Sequence, residues 1–327
     1  MPDGFQLSVT ETVDPQVMTT IMAATRLGCP PPDPLTMGVE EARAASRRYH
    51  AFLNGPEPLP ASVHDFLIEG PTGPIPMRIL RPRGAEGQAL PVLLYFHGGG
   101  FVLNSPDTHD HLLRQLVRRA DVAICVPAYS LAPEHQYPHQ HHEAQAALRW
   151  LRSHGAAHGL DVSRLTVGGD SAGANQALSL ALADRGAEGG SAIRAALLFY
   201  GMFARDFGTR SHQSYGRGGY GLTSERMRWY WNQYLGDSGA SRDPLAVPLL
   251  ADLHGLPPVR LFAAGRDCLL DDSLRLASAL SAAKVPHSLD VAETLPHAYV
   301  NLSRLVPEAD RALSRAASAL RQSLLRA

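Results

Sequence analysis

Short apolar runs and longer stretches with helical periodicity alternate along most of the chain. The apolar runs, typical of buried β-strands, are Val63–Glu69, Ile75–Arg81, Val92–Phe96, Val122–Val126, Leu165–Val167, Ala195–Tyr200, Val259–Ala263 and Ser288–Val291. The helical stretches are Thr108–Arg119, Gln140–Ser153, Ala172–Arg185, Ser273–Ala283 and Glu308–Leu325. Because strands that alternate with helices are joined by crossover connections, this pattern predicts an α/β fold with a mostly parallel eight-stranded sheet and helices on both faces. The first two strands, separated by a Gly/Pro-rich turn, are predicted to form an antiparallel hairpin.

Two segments depart from this alternation. Residues 1–60 are rich in proline and contain two predicted helices, Pro15–Leu27 and Thr36–Leu53, while residues 201–250 contain no clear strand. The second segment carries an aromatic helix at Ser224–Leu235, and an insertion of this length in a compact α/β domain is commonly a functional lid. We therefore predict that residues 1–60 and 201–250 form a helical cap over a core made of residues 61–200 and 251–327.

Composition and charge narrow the range of functions. The 327 residues include 30 Lys and Arg and 31 Asp and Glu, so the chain has no overall field that would attract nucleic acid or an anionic membrane. The apolar runs are too short to span a bilayer, and the N-terminal sequence MPDGFQLSVTETVDPQ lacks the basic and apolar regions of a signal peptide. The three cysteines, Cys29, Cys125 and Cys268, match neither a disulfide framework nor a zinc pattern. We expect a cytoplasmic protein without stable membrane association.

The first candidate for chemistry is the sequence Gly169-Asp170-Ser171-Ala172-Gly173, a G-x-S-x-G pattern. It lies between a predicted strand and a predicted helix, which is the setting of a nucleophile elbow. On such a turn the glycines allow close backbone approach, and the serine hydroxyl lies at a helix N-terminus that favours developing negative charge. Ser171 is therefore a candidate nucleophile. The alternative is an ordinary strand–helix loop in which the glycines only provide compactness.

The second candidate is the run His97-Gly98-Gly99-Gly100, which directly follows a predicted strand. A glycine run at a strand end can direct consecutive backbone N–H groups into a cavity, where they would stabilise a tetrahedral oxyanion. The alternative is a flexible or phosphate-binding loop, but the run lacks both the P-loop lysine and the dinucleotide-binding glycine spacing.

A serine nucleophile needs a base and an acid that orients the base. Asp267 and His297 both follow predicted strands, so they are expected at the same sheet edge as Ser171 and in the order acid, then histidine. Asp271 and Asp272 are rivals for the acid, although capping or first-turn roles at the next helix explain them more simply. His287 is a rival for the base, but it lies at the start of a strand, on the opposite edge.

Other side chains have candidate roles in metal binding or packing. Four histidines cluster at the start of a predicted helix: His135, His139, His141 and His142. An i, i+3 histidine pair can bind zinc, but no cysteine or carboxylate completes a recognised site, so we favour a solvated cluster without metal. His109 and His111 are predicted to be structural. The aromatic residues between Trp229 and Tyr234 fit either cap packing or the wall of a substrate pocket.

Together these motifs resemble those of the bacterial hormone-sensitive-lipase family of α/β-hydrolases, the family IV esterases. The resemblance rests on HGGG at His97–Gly100, GDSAG at Gly169–Gly173, LAPEH at Leu131–His135, GLPP at Gly255–Pro258, and the loops of Asp267 and His297. These motifs occur in the family's order over residues 60–325. The resemblance implies an α/β-hydrolase fold and a carboxylesterase that acts on short- to medium-chain esters without a metal or other cofactor.

The resemblance also implies a role for each site residue. Ser171 would be the nucleophile, His297 the general base and acid, and Asp267 the carboxylate that orients it. The oxyanion would be bound by the backbone N–H groups of Gly99, Gly100 and Ala172, while the His97 side chain would shape the loop.

The sequence departs from the family pattern at three positions. Ser130 replaces a frequent arginine, Cys268 a usual proline after the acid, and Ala298 a common glycine after the histidine. These changes affect loop geometry and substrate preference rather than the catalytic groups.

Three alternative functions stay open. An amidase or deacetylase would use the same triad, and a non-catalytic small-molecule receptor would use the same fold, although the related receptors lack the catalytic histidine. The third alternative is a metallohydrolase built on the histidine cluster. The predicted edge strand near Ser288–Val291 could also pair two subunits into a homodimer.

Overall fold

The fold is built around one twisted sheet of eight strands. The computed structural model describes residues 12–56, 58–59, 61–85, 87–187, 190–237 and 240–325. The strands are β1 (Ser62–Glu69), β2 (Pro74–Arg81), β3 (Leu90–Phe96), β4 (Ala123–Pro127), β5 (Leu160–Asp170), β6 (Ile193–Phe199), β7 (Val259–Arg266) and β8 (His287–Pro296). Their order in the sheet is β1-β2-β4-β3-β5-β6-β7-β8. Strands β3 to β8 run parallel, and β1 and β2 form the predicted antiparallel hairpin. The predicted mostly parallel eight-stranded sheet is therefore confirmed.

Helices cover both faces of this sheet. They are α1 (Pro15–Arg26), α2 (Val39–Asn54), α3 (Asp110–Ala120), α4 (His139–His154), α5 (Ala172–Asp184), α6 (Arg210–Tyr215), α7 (Ser224–Leu235), α8 (Leu270–Ala282) and α9 (Pro307–Leu325). Helices α4, α5 and α8 pack in one apolar cluster, and α3 and α9 pack in the other. Every residue of β4 is buried as a result, whereas edge strand β1 exposes most of its residues. This arrangement explains why the central strands are continuous apolar runs rather than alternating patterns.

The element boundaries differ from the predicted ones where polar residues lie inside an element. Strand β8 runs from His287 to Pro296, well beyond the predicted Ser288–Val291, so His297 directly follows the strand. Helix α8 begins at Leu270 rather than at Ser273, which places Asp271 and Asp272 in its first turn. Acidic side chains are favourable there because of the helix dipole, so a polar pair does not mark a loop.

The N-terminal helices and residues 201–250 contain only helical and irregular structure among the residues described. Helix α1 begins at Pro15, where Asp14 accepts a hydrogen bond from the backbone N–H of Gln16. Residues 1–11, which include most of the N-terminal sequence judged to lack a signal peptide, lie outside the described residues. Within the described part of the chain, no helix combines the length and apolar character needed to cross a membrane.

Candidate active site

Ser171 lies on a sharp turn between β5 and α5. Its backbone φ is +54°, in the left-handed region that a serine rarely adopts, and Ala172 begins the helix. A Cβ atom at Gly173 would overlap the carbonyl oxygen of Phe96 on β3, so only glycine allows the helix to approach this strand. The turn thus holds the hydroxyl at the end of the sheet in the geometry expected of a nucleophile elbow.

The structure brings Ser171, His297 and Asp267 into one hydrogen-bonded chain. The Oγ of Ser171 lies 2.9 Å from Nε2 of His297. The Nδ1 of the same ring lies 2.6 Å from Oδ2 of Asp267, whose other oxygen accepts a hydrogen bond from the backbone N–H of Leu269 at 3.0 Å. A carboxylate at this position fixes the tautomer with the proton on Nδ1, so Nε2 can accept the proton of Ser171.

The rival acids and the rival base lie elsewhere. Oδ2 of Asp272 accepts hydrogen bonds from the backbone N–H groups of Phe203 and Ala204, both at 2.8 Å. Asp271 accepts one from the backbone N–H of Ser211 at 2.9 Å. These carboxylates therefore tie residues 201–250 to helix α8, a role the sequence did not reveal. His287 begins β8, at the strand end opposite to His297.

The glycine run after β3 faces the same site. Gly99 and Gly100 have φ values of +122° and +64°, and both line the cavity that contains Ser171 and His297. A Cβ atom at Gly100 would overlap the ring of Tyr230 on α7. Ala172 is the first residue of α5, so its N–H has no acceptor within the helix. The three predicted donors are thus near Ser171 or adjacent to it in the chain.

His97 supports this loop from behind. Its Nδ1 donates to the carbonyl oxygen of Gly98 at 2.9 Å, and its own carbonyl oxygen accepts a hydrogen bond from the Tyr129 hydroxyl at 2.6 Å. Burial lowers the pKa of the His97 ring to about 3, so the ring is neutral and unsuited to proton transfer near neutral pH. The structure thus agrees with a loop-shaping role for His97.

A cavity of about 220 Å³ opens above Ser171. Helices α1 and α2 contribute Val17 and Tyr49 to its wall, and residues 201–250 contribute Met227 and Tyr230. Both segments predicted to form a cap therefore face Ser171. The wall is mainly apolar, which suits the hydrocarbon parts of a small organic substrate.

The remaining sequence hypotheses have mixed outcomes. The prediction of a solvated histidine cluster is wrong for His141, which is buried because the start of α4 packs against the core. Among the residues described, no group of three His, Cys, Asp or Glu side chains is arranged to hold a metal ion. The aromatic residues of α7 divide between the two predicted roles, since Trp231 and Tyr234 pack in the core and Tyr230 lines the cavity.

Two departures from the family pattern have a visible local effect. Ser130 donates hydrogen bonds from its backbone N–H and hydroxyl to Glu143, at 2.7 and 2.8 Å. Ala298 has a φ of +63°, a left-handed conformation that explains why glycine is common after the histidine.

Sequence reasoning missed the residue beside the nucleophile. Oδ1 of Asp170 accepts hydrogen bonds from the backbone N–H of Gly98 and from the Tyr95 hydroxyl, both at 2.9 Å. Asp170 is 2% exposed. Because it lies next to Ser171 and binds Gly98, it joins the nucleophile turn to the oxyanion loop. The only sequence signal was its charge at a position otherwise surrounded by small residues.

Comparisons with known proteins identify the relatives of this chain. The family model for the α/β-hydrolase fold matches residues 93–301. Esterase LipI of Mycobacterium tuberculosis is 39% identical over 263 residues, which cover 79% of this chain and 81% of LipI. An ethyl acetate hydrolase of Pseudomonas putida is 31% identical over 288 residues, covering 87% of this chain and 90% of that protein.

A solved structure extends the likeness to nearly the whole chain. A thermostable esterase from Pseudomonas putida superimposes with a TM-score of 0.89 and 31% identity, covering 98% of this chain and 99% of that one. With the α/β-hydrolase sheet, the HGGG and GDSAG motifs and these relatives in agreement, the chain belongs to the hormone-sensitive-lipase family of α/β-hydrolases, the family IV esterases.

Proposed function

We propose that this carboxylesterase hydrolyses short- to medium-chain esters through an acyl-enzyme intermediate formed on Ser171. The observation that carries the proposal is the hydrogen-bonded chain from Ser171 through His297 to Asp267, at 2.9 and 2.6 Å. A related receptor without catalytic activity would have no need for this arrangement. The relatives named esterase and ethyl acetate hydrolase support the ester as the reacting group.

Acylation begins when the Ser171 hydroxyl attacks the ester carbonyl carbon and transfers its proton to Nε2 of His297. Asp267 stabilises the imidazolium that forms, because its carboxylate accepts the Nδ1 proton in a hydrogen bond. The carbonyl oxygen becomes an oxyanion that accepts hydrogen bonds from the N–H groups of Gly99, Gly100 and Ala172. The alcohol then leaves with the proton from His297, and the acyl group stays on Ser171.

Deacylation repeats these steps with water. His297 removes a proton from a water molecule, the hydroxide attacks the acyl carbonyl, and the second oxyanion occupies the same donors. Collapse releases the carboxylic acid and returns the proton to Oγ of Ser171. These steps need only groups of the protein and water.

The predicted cap is part of this proposal. Helices α1 and α2 and residues 201–250 line a cavity of about 220 Å³, which favours acyl chains of short or medium length. Longer chains would require these segments to move. The cytoplasmic location belongs to the proposal as well, and cell fractionation tests it.

We also propose a homodimer formed through β8. This strand is the last in the sheet order, so one of its edges can pair with a second copy of the chain. Light scattering combined with size-exclusion chromatography tests the proposal, and a monomer at micromolar concentration would contradict it.

The activity is tested with p-nitrophenyl esters from acetate to palmitate, using wild type and Ser171→Ala. We expect highest activity on short or medium chains, unchanged by EDTA and lost in the variant. EDTA sensitivity would favour the metallohydrolase. A folded wild type that is inactive on every ester but cleaves p-nitroacetanilide would be an amidase, and one inactive on both would favour a receptor.

A further inference from the structure

A second group of polar side chains lies at the base of the oxyanion loop, where Asp170 also borders the cavity. Asp170 and Tyr95 contribute to it from β5 and β3, and His109 contributes from the turn before α3. His109 is fully buried and Asp170 is 2% exposed. A carboxylate this deeply buried is unfavourable unless hydrogen bonds and an opposite charge compensate it.

The hydrogen bonds favour the ionised form of Asp170. Its Oδ1 accepts from the backbone N–H of Gly98, which can only donate, and from the Tyr95 hydroxyl. The Nε2 of His109 approaches the same oxygen to 3.1 Å. Burial alone would raise the pKa of Asp170, but His109 and the donated hydrogen bonds lower it below its usual value.

The hydrogen atoms around His109 can be assigned in the same way. Nδ1 of the ring lies 2.9 Å from the Thr108 hydroxyl, whose single hydrogen is donated to the carbonyl oxygen of Ser105 at 2.7 Å. The hydroxyl oxygen must then accept from Nδ1, so Nδ1 carries a hydrogen. Nε2 lies 3.1 Å from the Asp170 carboxylate and has no well-aligned hydrogen-bond partner among the described residues. A bare nitrogen lone pair this close to an anion would be repelled, so we assign a hydrogen to Nε2 as well. A ring with hydrogens on both nitrogens is a cation.

The neighbouring histidines are neutral. The His97 ring lies 5.7 Å from the His109 ring, and the His50 ring stacks on it at 6.0 Å. Burial, followed by the charge of His109, lowers the pKa of His50 to about 4 and that of His97 to about 3. Neither of these two rings is therefore a cation near neutral pH.

We propose that His109 is a positioning residue whose buried positive charge, paired with Asp170, holds the oxyanion loop in its active geometry. The inference rests on the function proposed for Ser171. Asp170 directly precedes the nucleophile and binds the N–H of Gly98, which directly precedes Gly99 and Gly100. One ion pair thus fixes the nucleophile and the oxyanion donors relative to each other, before charge develops on the substrate.

A second chain of hydrogen bonds joins the pair of His109 and Asp170 to helix α2, which belongs to the first predicted cap segment. The carbonyl oxygen of Gly98 accepts from Nδ2 of Asn104 at 3.2 Å, and Oδ1 of Asn104 accepts from the Ser46 hydroxyl on α2. Both backbone polar atoms of Gly98 are therefore held by side chains. This leaves the loop little freedom to reorient its next two N–H groups.

The charge state is tested on the wild-type protein by neutron diffraction near pH 7.5. We expect hydrogens on both ring nitrogens of His109 and none on the Asp170 carboxylate. A neutral His109, or a proton on Asp170, would overturn the ion pair. This test does not depend on the folding of any variant.

The positioning role is tested with His109→Gln, and with His111→Gln as the matched control. His111 is also buried and lies only two residues away, but its ring is close to Gln115 rather than to the oxyanion loop. We expect His109→Gln to lower kcat at least about tenfold and to change KM less than about threefold. Its affinity for a trifluoromethyl ketone, which forms a tetrahedral oxyanion adduct, should fall in parallel with kcat/KM. The control should stay within about twofold of wild type, and equal effects of the two variants would contradict the role.

Coupling is tested with Asp170→Asn and with the double variant that combines it with His109→Gln. Because the two amide side chains of the double variant can form a neutral hydrogen-bonded pair, it should be no slower than His109→Gln alone. Multiplicative losses would show that the two residues act independently and would overturn the proposal.

Labelling by a fluorophosphonate separates a failure of the proposed function from a failure of this inference. An unlabelled wild type would refute the proposed function, whereas a labelled wild type with an unaffected His109→Gln variant would refute only the positioning role of His109.

Discussion

The two sides of the cavity are built in different ways. On one side, Ser171, Asp267 and His297 each directly follow a strand of the sheet, so the strand register fixes their positions. On the other side, the wall is formed by helices outside the sheet: α1 leaves Met18 half exposed, whereas α7 packs Trp231 and Tyr234 in the core. Polar contacts also join the two covering segments, which are the described parts of residues 1–60 and 201–250, to each other and to the core. We therefore expect the sheet edge to determine the reaction and the covering segments to determine which esters reach it.

The largest expected effect comes from the carboxylate beside His297. Asp267→Asn keeps the size of the side chain but favours the wrong histidine tautomer, because an amide can donate to Nδ1. We expect kcat to fall about 10⁴-fold with little change in the free energy of unfolding. Asp271→Asn is the matched control, since Asp271 lies four residues later and binds Ser211 in the insertion. Steady-state rates on p-nitrophenyl acetate distinguish them, and a loss of less than tenfold for Asp267→Asn would refute its proposed role.

A smaller loss is expected where the two sides meet. The added methyl group in Gly100→Ala would overlap the Tyr230 ring, and the φ of +64° would strain the alanine. Displacement of this N–H should lower kcat by about 10²–10³-fold, as for the loss of one oxyanion donor.

Combining Gly100→Ala with Tyr230→Ala separates the two causes. If the overlap dominates, removal of the ring should restore at least about tenfold in kcat. If the loss persists unchanged, the backbone strain at residue 100 dominates and Tyr230 does not press on the oxyanion loop. Circular dichroism spectra of all three variants would exclude a general loss of folding.

The difference between the sheet edge and the covering segments also explains what could be predicted from the sequence. The sheet and the positions of Ser171, Asp267 and His297 follow from apolar runs and from motifs at their ends, because parallel strands bring their carboxyl ends to one edge. Asp272 gave no such signal. Its identity is that of an ordinary first-turn carboxylate, and only the folded chain shows that it accepts from Phe203 and Ala204. Polar contacts of this kind depend on tertiary geometry, and they produce no periodic pattern in the sequence.

Asp272 also gives a prediction about pH. Burial raises its pKa to about 7, so between pH 4 and 7 the folded protein binds a proton that the unfolded chain has lost. A raised carboxyl pKa means that the stabilising contribution of the protonated form is present at low pH and is lost as pH rises through 7. The free energy of unfolding of wild type should therefore fall relative to that of Asp272→Asn by about 2–3 kcal/mol between pH 5 and 8.

Urea unfolding of both proteins at several pH values measures this difference. The variant removes the titration but keeps an acceptor for the two backbone N–H groups, so it isolates the effect of the proton. A difference that is constant with pH would show that the raised pKa is wrong, and the carboxylate would then be charged in the folded protein near neutral pH.

The smallest expected effect concerns the contact between the two covering segments. Nε of Arg226 on α7 lies 3.1 Å from Oδ1 of Asp33, and both side chains are partly exposed, so their pairing contributes less than about 1 kcal/mol to folding. Arg226 also lines the cavity, so its loss should affect substrate selection more than stability. We expect Arg226→Met to raise KM for p-nitrophenyl butyrate about threefold and to shift the preferred acyl chain towards greater length.

Arg228→Met is the control, because Arg228 lies over the Phe207 ring rather than beside Asp33. If kcat fell and the chain-length profile did not move, the covering segments would contribute to the reaction itself, and the division between the two sides of the cavity would fail.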